Sequence, residues 1–445
     1  MIEFDIPDGP RGEDDYGFAA ELRLRRPSMR KALFTANPFL GRQKMEYAGC
    51  ARTYHRLLNP YLAVLFVLTI WRLFDVKDSR ARWTVGDWLI NYEGGFVRRG
   101  FAGEVFLYMG RVLHVSPVWL ALLLSLACYA VMFFAVWKLL QVASWNLWIV
   151  ALAVSPVTLS FGILNIGGWG RKEILYLAGL GILLLMLLRA KVQDWLLIAV
   201  MTLICPLMVL CHEPLICFFP YYFGALVIAR HSVRSAIKIA TLPLLFSTVA
   251  LVLVIHHPGN ATTAAKICDS LGPLKQHVCG GAIDYLASTS AGARTLVAEN
   301  IQAYHYYGLY TIWTIAGSVP IVMAFAFLWR YAKVRYSLIV LLIATGASCA
   351  ASLVLFLYAV DWGRWIYIHI FSVFFLLLFI DYRHQEREPL GSEVPLPSKW
   401  RSRCVGFALF LYATSWSMPN VPDKIEGYGY LGFPIRILNA HLHGS

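Results

Sequence analysis

Residues 116–139 read SPVWLALLLSLACYAVMFFAVWKL, an apolar run with a single charged residue, Lys138, near its end. Crossing the hydrocarbon core of a bilayer takes about 20 predominantly apolar residues in a helix, the form that satisfies every backbone group within the segment. Comparable runs lie at 57–74, 147–165, 174–189, 193–211, 213–229, 239–255, 307–329, 337–359, 362–381 and 404–418. The pattern predicts an all-α, polytopic integral membrane bundle of about 11 transmembrane helices. Composition agrees. Of 445 residues, 58% are hydrophobic and only 15% charged, and the mean hydropathy is +0.59. A soluble domain carries about 25% charge.

The net charge of +13 does not point to nucleic acid, because the basic residues sit at the ends of apolar runs and form no basic domain. Topology accounts for them better. With the N-terminus inside and the C-terminus outside, 24 of the 39 Lys and Arg fall on the inner side, as the positive-inside bias requires. The expected organisation is a cytoplasmic tail (1–56), a membrane domain (57–418) with outer loops at 72–114 and 256–306, and an outside tail (419–445). In the first tail Arg23, Arg25, Arg26, Arg30 and Lys31 suit anionic lipid headgroups. Segment 382–403, with Pro389, Pro395 and Pro397, reads as a polar connector. Loop 72–114 breaks the charge rule, since it holds seven of the 15 outside basic residues.

Within that loop Phe101, Val105, Tyr108, Met109 and Val112 recur at helical spacing, which predicts an amphipathic interfacial helix or a short packed one. Of the nine cysteines, Cys268 and Cys279 alone lie in an outer loop, where an oxidising exterior makes a disulfide between them reasonable.

Polar clusters stand at the edges of the apolar runs: residues 91–100 (NYEGGFVRRG), 167–173 (GGWGRKE), 211–214 (CHEP), loop 256–306 and 361–365 (DWGRW). The topology places all of them on the outer side. Ionisable groups at membrane depth are expensive and tend to be functional, and one shared face means one candidate site. Arg98 and Arg99 stand beside glycines on a face that disfavours positive charge. Guanidinium groups bind phosphate bidentately, and of two adjacent helical residues only one can face a given ligand. The alternative is pairing with Glu93 or Glu104, or snorkelling to lipid phosphates. Arg171, Lys172 and Arg364 are further candidate phosphate ligands, with His212 and Glu213 as a polar pair lining the pocket.

A carboxylate near an incoming hydroxyl can act as general base. The catalytic candidates are Glu93, Glu173 and Asp361, with Asp75, Asp78 and Asp87 as weaker ones. Trp169, Trp362 and Trp365 are candidate platforms for sugar rings. His212-Glu213 lacks the spacing of a zinc-protease helix, so no metal ligands are assigned and the cofactor stays open, a divalent metal included. Walker, Rossmann, serine-hydrolase and kinase signatures are absent from the sequence.

A long first outer loop carrying acids and an interfacial helix, followed by an acid in the second outer loop, resembles the GT-C class of membrane glycosyltransferases. The layout covers roughly residues 57–260, and no D-x-D or D-E pair stands directly after the first span. The outer-face arginines are similar to those of O-antigen polymerases and ligases. The resemblance implies a bacterial inner-membrane enzyme of envelope polysaccharide biosynthesis that uses a polyprenyl-(pyro)phosphate-linked sugar at the outer face. Asp75, Asp78 or Glu93 would then be the first-loop acid and Glu173 the second. Its partners would be membrane lipid and the lipid-linked saccharide. A transporter or flippase for a lipid-linked or anionic substrate, and a non-catalytic envelope-assembly subunit, remain the alternatives.

Overall fold

The computed structural model describes residues 38–79, 82–141, 143, 146–189, 192–387 and 399–421. The basic tail cluster 23–31, the connector prolines at 389, 395 and 397 and the tail after 421 lie outside the described residues, as does the side chain of Asp78. The chain divides into two units. One is Met1–Leu57 with Gly391–Val394; the other, Leu58–Leu390 with Pro395–Ser445, contains the helical bundle.

Among the described residues the structure is all-helical, and seven helices are long and apolar enough to cross a membrane. It is the make-up of a multi-pass membrane protein. The principal helices are α1 (Pro38–Ser79), α2 (Gly100–Leu113), α3 (Pro117–Leu140), α4 (Glu173–Leu187), α5 (Asp194–Cys211), α6 (Phe219–Arg230), α7 (Val233–Ile255), α8 (Tyr306–Leu328), α9 (Ala332–Tyr358), α10 (Trp362–Arg387) and α11 (Lys399–Thr414). Helix α10 forms the centre. In its membrane-length window 83% of residues are buried, against 22% to 50% in the other six. It packs against α3, α4, α6, α8 and α9. Its segment 371–380 is buried on every side, as expected of a helix without a polar face.

Two expected spans take a different form. The run 147–165 is not one helix but Leu147–Val154, an irregular stretch, and Phe161–Leu164. Pro156 has no N–H and forces Ser155 out of the helical region, which ends the first helix there. The exposed-backbone cost is met locally: Thr158 Oγ1 donates to the Ser155 carbonyl at 2.9 Å and Ser160 Oγ donates to the same oxygen at 3.2 Å. Non-helical backbone at membrane depth survives only where it is buried in protein, and Ser155, Thr158 and Ser160 are all fully buried. The run 213–229 opens as a 3-10 turn (Glu213–Phe218) before α6. Pro214 and Pro220 each sit at the start of a helical segment, where a missing N–H costs nothing.

Helix α2 covers the residues expected to form an amphipathic helix. Ala102, Gly103, Phe106 and Leu107 face the protein, while Val105, Tyr108, Met109, Val112 and Leu113 are exposed. Its close approach depends on Gly103. A Cβ there would stand 2.0 Å from the Ile90 carbonyl oxygen.

Candidate functional site

Chain segments far apart in sequence bring their charged ends together at one end of the bundle. Arg99 precedes α2 in a left-handed conformation (φ 66°), which costs a non-glycine residue about 1–2 kcal/mol. Three contacts hold it. Its Nε lies 2.9 and 3.1 Å from the two carboxylate oxygens of Glu213, and its Nη2 2.9 Å from Oε1. Its Nη1 is 3.8 Å from Asp87 Oδ1, and its carbonyl accepts a hydrogen bond from Lys172 Nζ at 2.9 Å. Lys172 is completely buried, 3.9 Å from Asp87 and above the ring of Trp88.

A second knot adjoins the first. Glu173 Oε1 accepts from Arg364 Nη1 and lies 3.2 Å from His212 Nε2. Arg364 Nη2 donates to Asp361, whose other oxygen accepts from Asn420 Nδ2 at 3.1 Å. The neighbours His212 and Glu213 join the two knots, one residue in each. Gly363 allows the approach of Asn420, because a Cβ at 363 would meet the Pro419 carbonyl oxygen at 2.0 Å.

Burial raises the Asp87 carboxyl, but Lys172 and Arg99 more than reverse it, leaving it below the usual carboxylate range. The Lys172 ammonium is lowered by burial, with Asp87 opposing. Burial and the neighbouring Arg99 lower the Arg98 guanidinium.

Two guanidinium groups are less well compensated. Arg98 Nη1 is 3.7 Å from Glu213, a carboxylate already forked by Arg99, and its buried Nε has no hydrogen-bond partner. Arg171 donates from Nε to the Gly167 carbonyl and from Nη1 to the Trp83 carbonyl, both at 3.0 Å, and no carboxylate among the described residues lies within ion-pair distance. The cluster thus sets five basic side chains (Arg98, Arg99, Arg171, Lys172, Arg364) against four carboxylates (Asp87, Glu173, Glu213, Asp361).

Loop 256–306 lies against segment 82–98. Arg98 N–H donates to the His257 carbonyl at 2.8 Å, Asn91 Nδ2 to Ser270 Oγ at 3.1 Å, and Ala282 N–H to the Arg82 carbonyl at 3.1 Å. A disulfide joins Cys268 and Cys279 within this loop. No family model, curated protein or solved structure matches the chain.

Several expected site residues stand elsewhere or in another role. Glu93 is exposed and pairs with Arg111 at 2.6 Å, away from the buried cluster. It follows Asn91 and Tyr92 in a turn, with its side chain at the surface. Asp75 pairs with Arg72 at 2.8 Å on the last turns of α1. The three tryptophans are buried rather than presenting open ring faces. Trp169 stacks on Tyr129 and donates to the Thr69 carbonyl; Trp362 packs among Tyr306, Tyr307, Tyr310 and Phe356. Trp365 lies beneath Arg364, stacked on Phe218 and His212. Among the described residues no group of three or more His, Cys, Asp or Glu is placed to hold a metal. The carboxylates alternate with cations instead.

Asn420 was not legible as a site residue, for nothing in its local sequence marks it. Asp87 ranked as a weaker candidate because a lone acid in a loop reads as solvated; its burial depends on Lys172 and Arg99, distant in sequence.

Proposed function

We propose that the protein is a membrane glycosyltransferase or polymerase of cell-envelope glycan synthesis. It takes its sugar from a polyprenyl-(pyro)phosphate carrier at the outer face of a bacterial inner membrane, in the manner of GT-C enzymes. In this reading the N-terminus is inside, the C-terminus outside, and shorter helices such as α4 and α6 complete about 11 crossings. The observation that carries it is the cation excess of one buried charged cluster, with Arg98 and Arg171 left short of carboxylate partners. These two hold the donor phosphate and stabilise the charge that grows on it as the sugar leaves. Arg99, Lys172 and Arg364 are committed to carboxylates and keep the frame in place.

The test is transfer of labelled sugar from a lipid-linked donor in membranes with matched protein levels. Lysine keeps the charge but loses the planar fork, so Arg98→Lys and Arg171→Lys should each slow transfer on the order of a hundredfold, about 3 kcal/mol. Full activity in both variants would remove these arginines from the mechanism.

A second reading, passage of a lipid-linked or anionic substrate, draws on one observation. His369, within the span of α10, is hydrogen-bonded at 2.9 Å to both Tyr221 and Ser352, and ionisable residues inside a membrane often line a path. Uptake of lipid-linked saccharide into sealed vesicles without any transfer product would favour it.

A further inference from the structure

Behind the second knot is a small cavity of about 10 Å³ lined by Tyr129, Phe161, Arg171, Glu173, Arg364 and Tyr367. Space of that size takes about one water-sized group. Two of its lining side chains carry unmatched polar atoms of opposite kind. Glu173 Oε2 is a buried acceptor without a partner, although Oε1 of the same carboxylate has two. Arg364 Nε is a buried donor without a partner, although both of its terminal nitrogens are engaged. Glu173 and Arg364 are 4% and 7% exposed, so bulk solvent does not satisfy either atom. A buried polar atom left unpaired costs about 1–3 kcal/mol, and both residues line this one cavity, where one group could bond both.

The group must donate once and accept once, and it must be small. A phosphate is too large and would meet the Glu173 carboxylate; an ammonium cannot accept from arginine. A hydroxyl meets every condition. Its hydrogen is donated to Glu173 Oε2 and its oxygen accepts from Arg364 Nε. We propose that this cavity is a hydroxyl-binding site, occupied by one water at rest and by the hydroxyl of the acceptor during turnover.

The acceptor half rests on the transfer reaction proposed above. As the acceptor oxygen bonds to the anomeric carbon, the bond from that carbon to the donor phosphate oxygen breaks. The electron pair leaves with the phosphate, beside Arg171, and the hydroxyl proton passes to Glu173 Oε2. Arg364 and His212 hold the Glu173 carboxylate in register for that transfer. Water in the same position would give slow hydrolysis of the donor.

Two measurements separate the halves. A density map of the full chain in lipid nanodiscs, fine enough to show ordered water, reads the resting site without any assumption about chemistry. One peak within hydrogen-bonding distance of Glu173 Oε2 and Arg364 Nε supports the site; an empty cavity, or a direct contact that closes it, overturns it. The second measurement supplies a polyprenyl-phosphate-linked sugar with methanol as the acceptor. Methyl glycoside is expected, falling on the order of a hundredfold in Glu173→Gln. Undiminished product in Glu173→Gln overturns the acceptor half. Water in the cavity together with no transfer to any acceptor would leave the hydroxyl site standing and count against the transfer reaction itself.

Discussion

Two arginine–carboxylate contacts of segment 72–114 look alike on paper and differ in consequence. Glu93 and Arg111 meet at 2.6 Å with 36% and 59% of their side chains exposed; Arg99 and Glu213 meet at 2.9 Å with 22% and 17% exposed, inside a network. The shorter pair is the weaker one. Water competes for both exposed partners and salt screens them, so such pairs are worth about 0–1 kcal/mol. In the network each charge has given up most of its hydration, and removing one partner strands the other. Distance alone therefore ranks the two contacts in the wrong order, and burial with connectivity ranks them correctly.

Four changes test that ranking, beginning with the heaviest. Arg364→Met strands Glu173 and Asp361 together and should lower unfolding stability by about 4 kcal/mol, read as a large drop in melting temperature in detergent. Replacing Cys268 and Cys279 with serine should cost loop 256–306 about 3 kcal/mol on chain-entropy grounds, seen as faster proteolysis within it. Gly103→Ala forces a methyl group against the Ile90 backbone, an overpacking cost of about 2 kcal/mol, again measured by thermal unfolding. Glu93→Gln should change stability by less than about 1 kcal/mol and leave transfer unaltered. A strong effect from Glu93→Gln, with none from Arg364→Met, would invert the comparison.

The helical membrane class was open to reading because it depends on apolar run length, which local sequence contains in full. The interruption at 155–160 was also marked, by Ser155-Pro156 and the hydroxyls that follow, yet hydropathy averaged over 147–165 conceals it. The polar clusters were readable as groups, since charge is conspicuous between apolar runs. Their internal assignments were not. Nothing local distinguishes Arg98 from Arg99; the difference is created by Glu213, more than a hundred residues away, which forks one and leaves the other. Asn420 and the unmatched oxygen of Glu173 belong to the same class, since both are properties of packing between remote segments. The surroundings of the tryptophans were hidden for a related reason. An aromatic beside a glycine suits a sugar platform or a buried contact equally well, and only the neighbours Tyr129, Phe218 and Tyr310 decide between them.

The claim that the cluster holds a lipid-linked phosphate is tested most directly by native mass spectrometry of the purified protein released from its own membranes. The wild-type chain should retain a polyprenyl-phosphate species, and a variant combining Arg98→Lys with Arg171→Lys should lose it while keeping ordinary phospholipid and an unchanged melting temperature. Equal retention by both proteins, or bulk phospholipid alone on the wild type, would contradict the account.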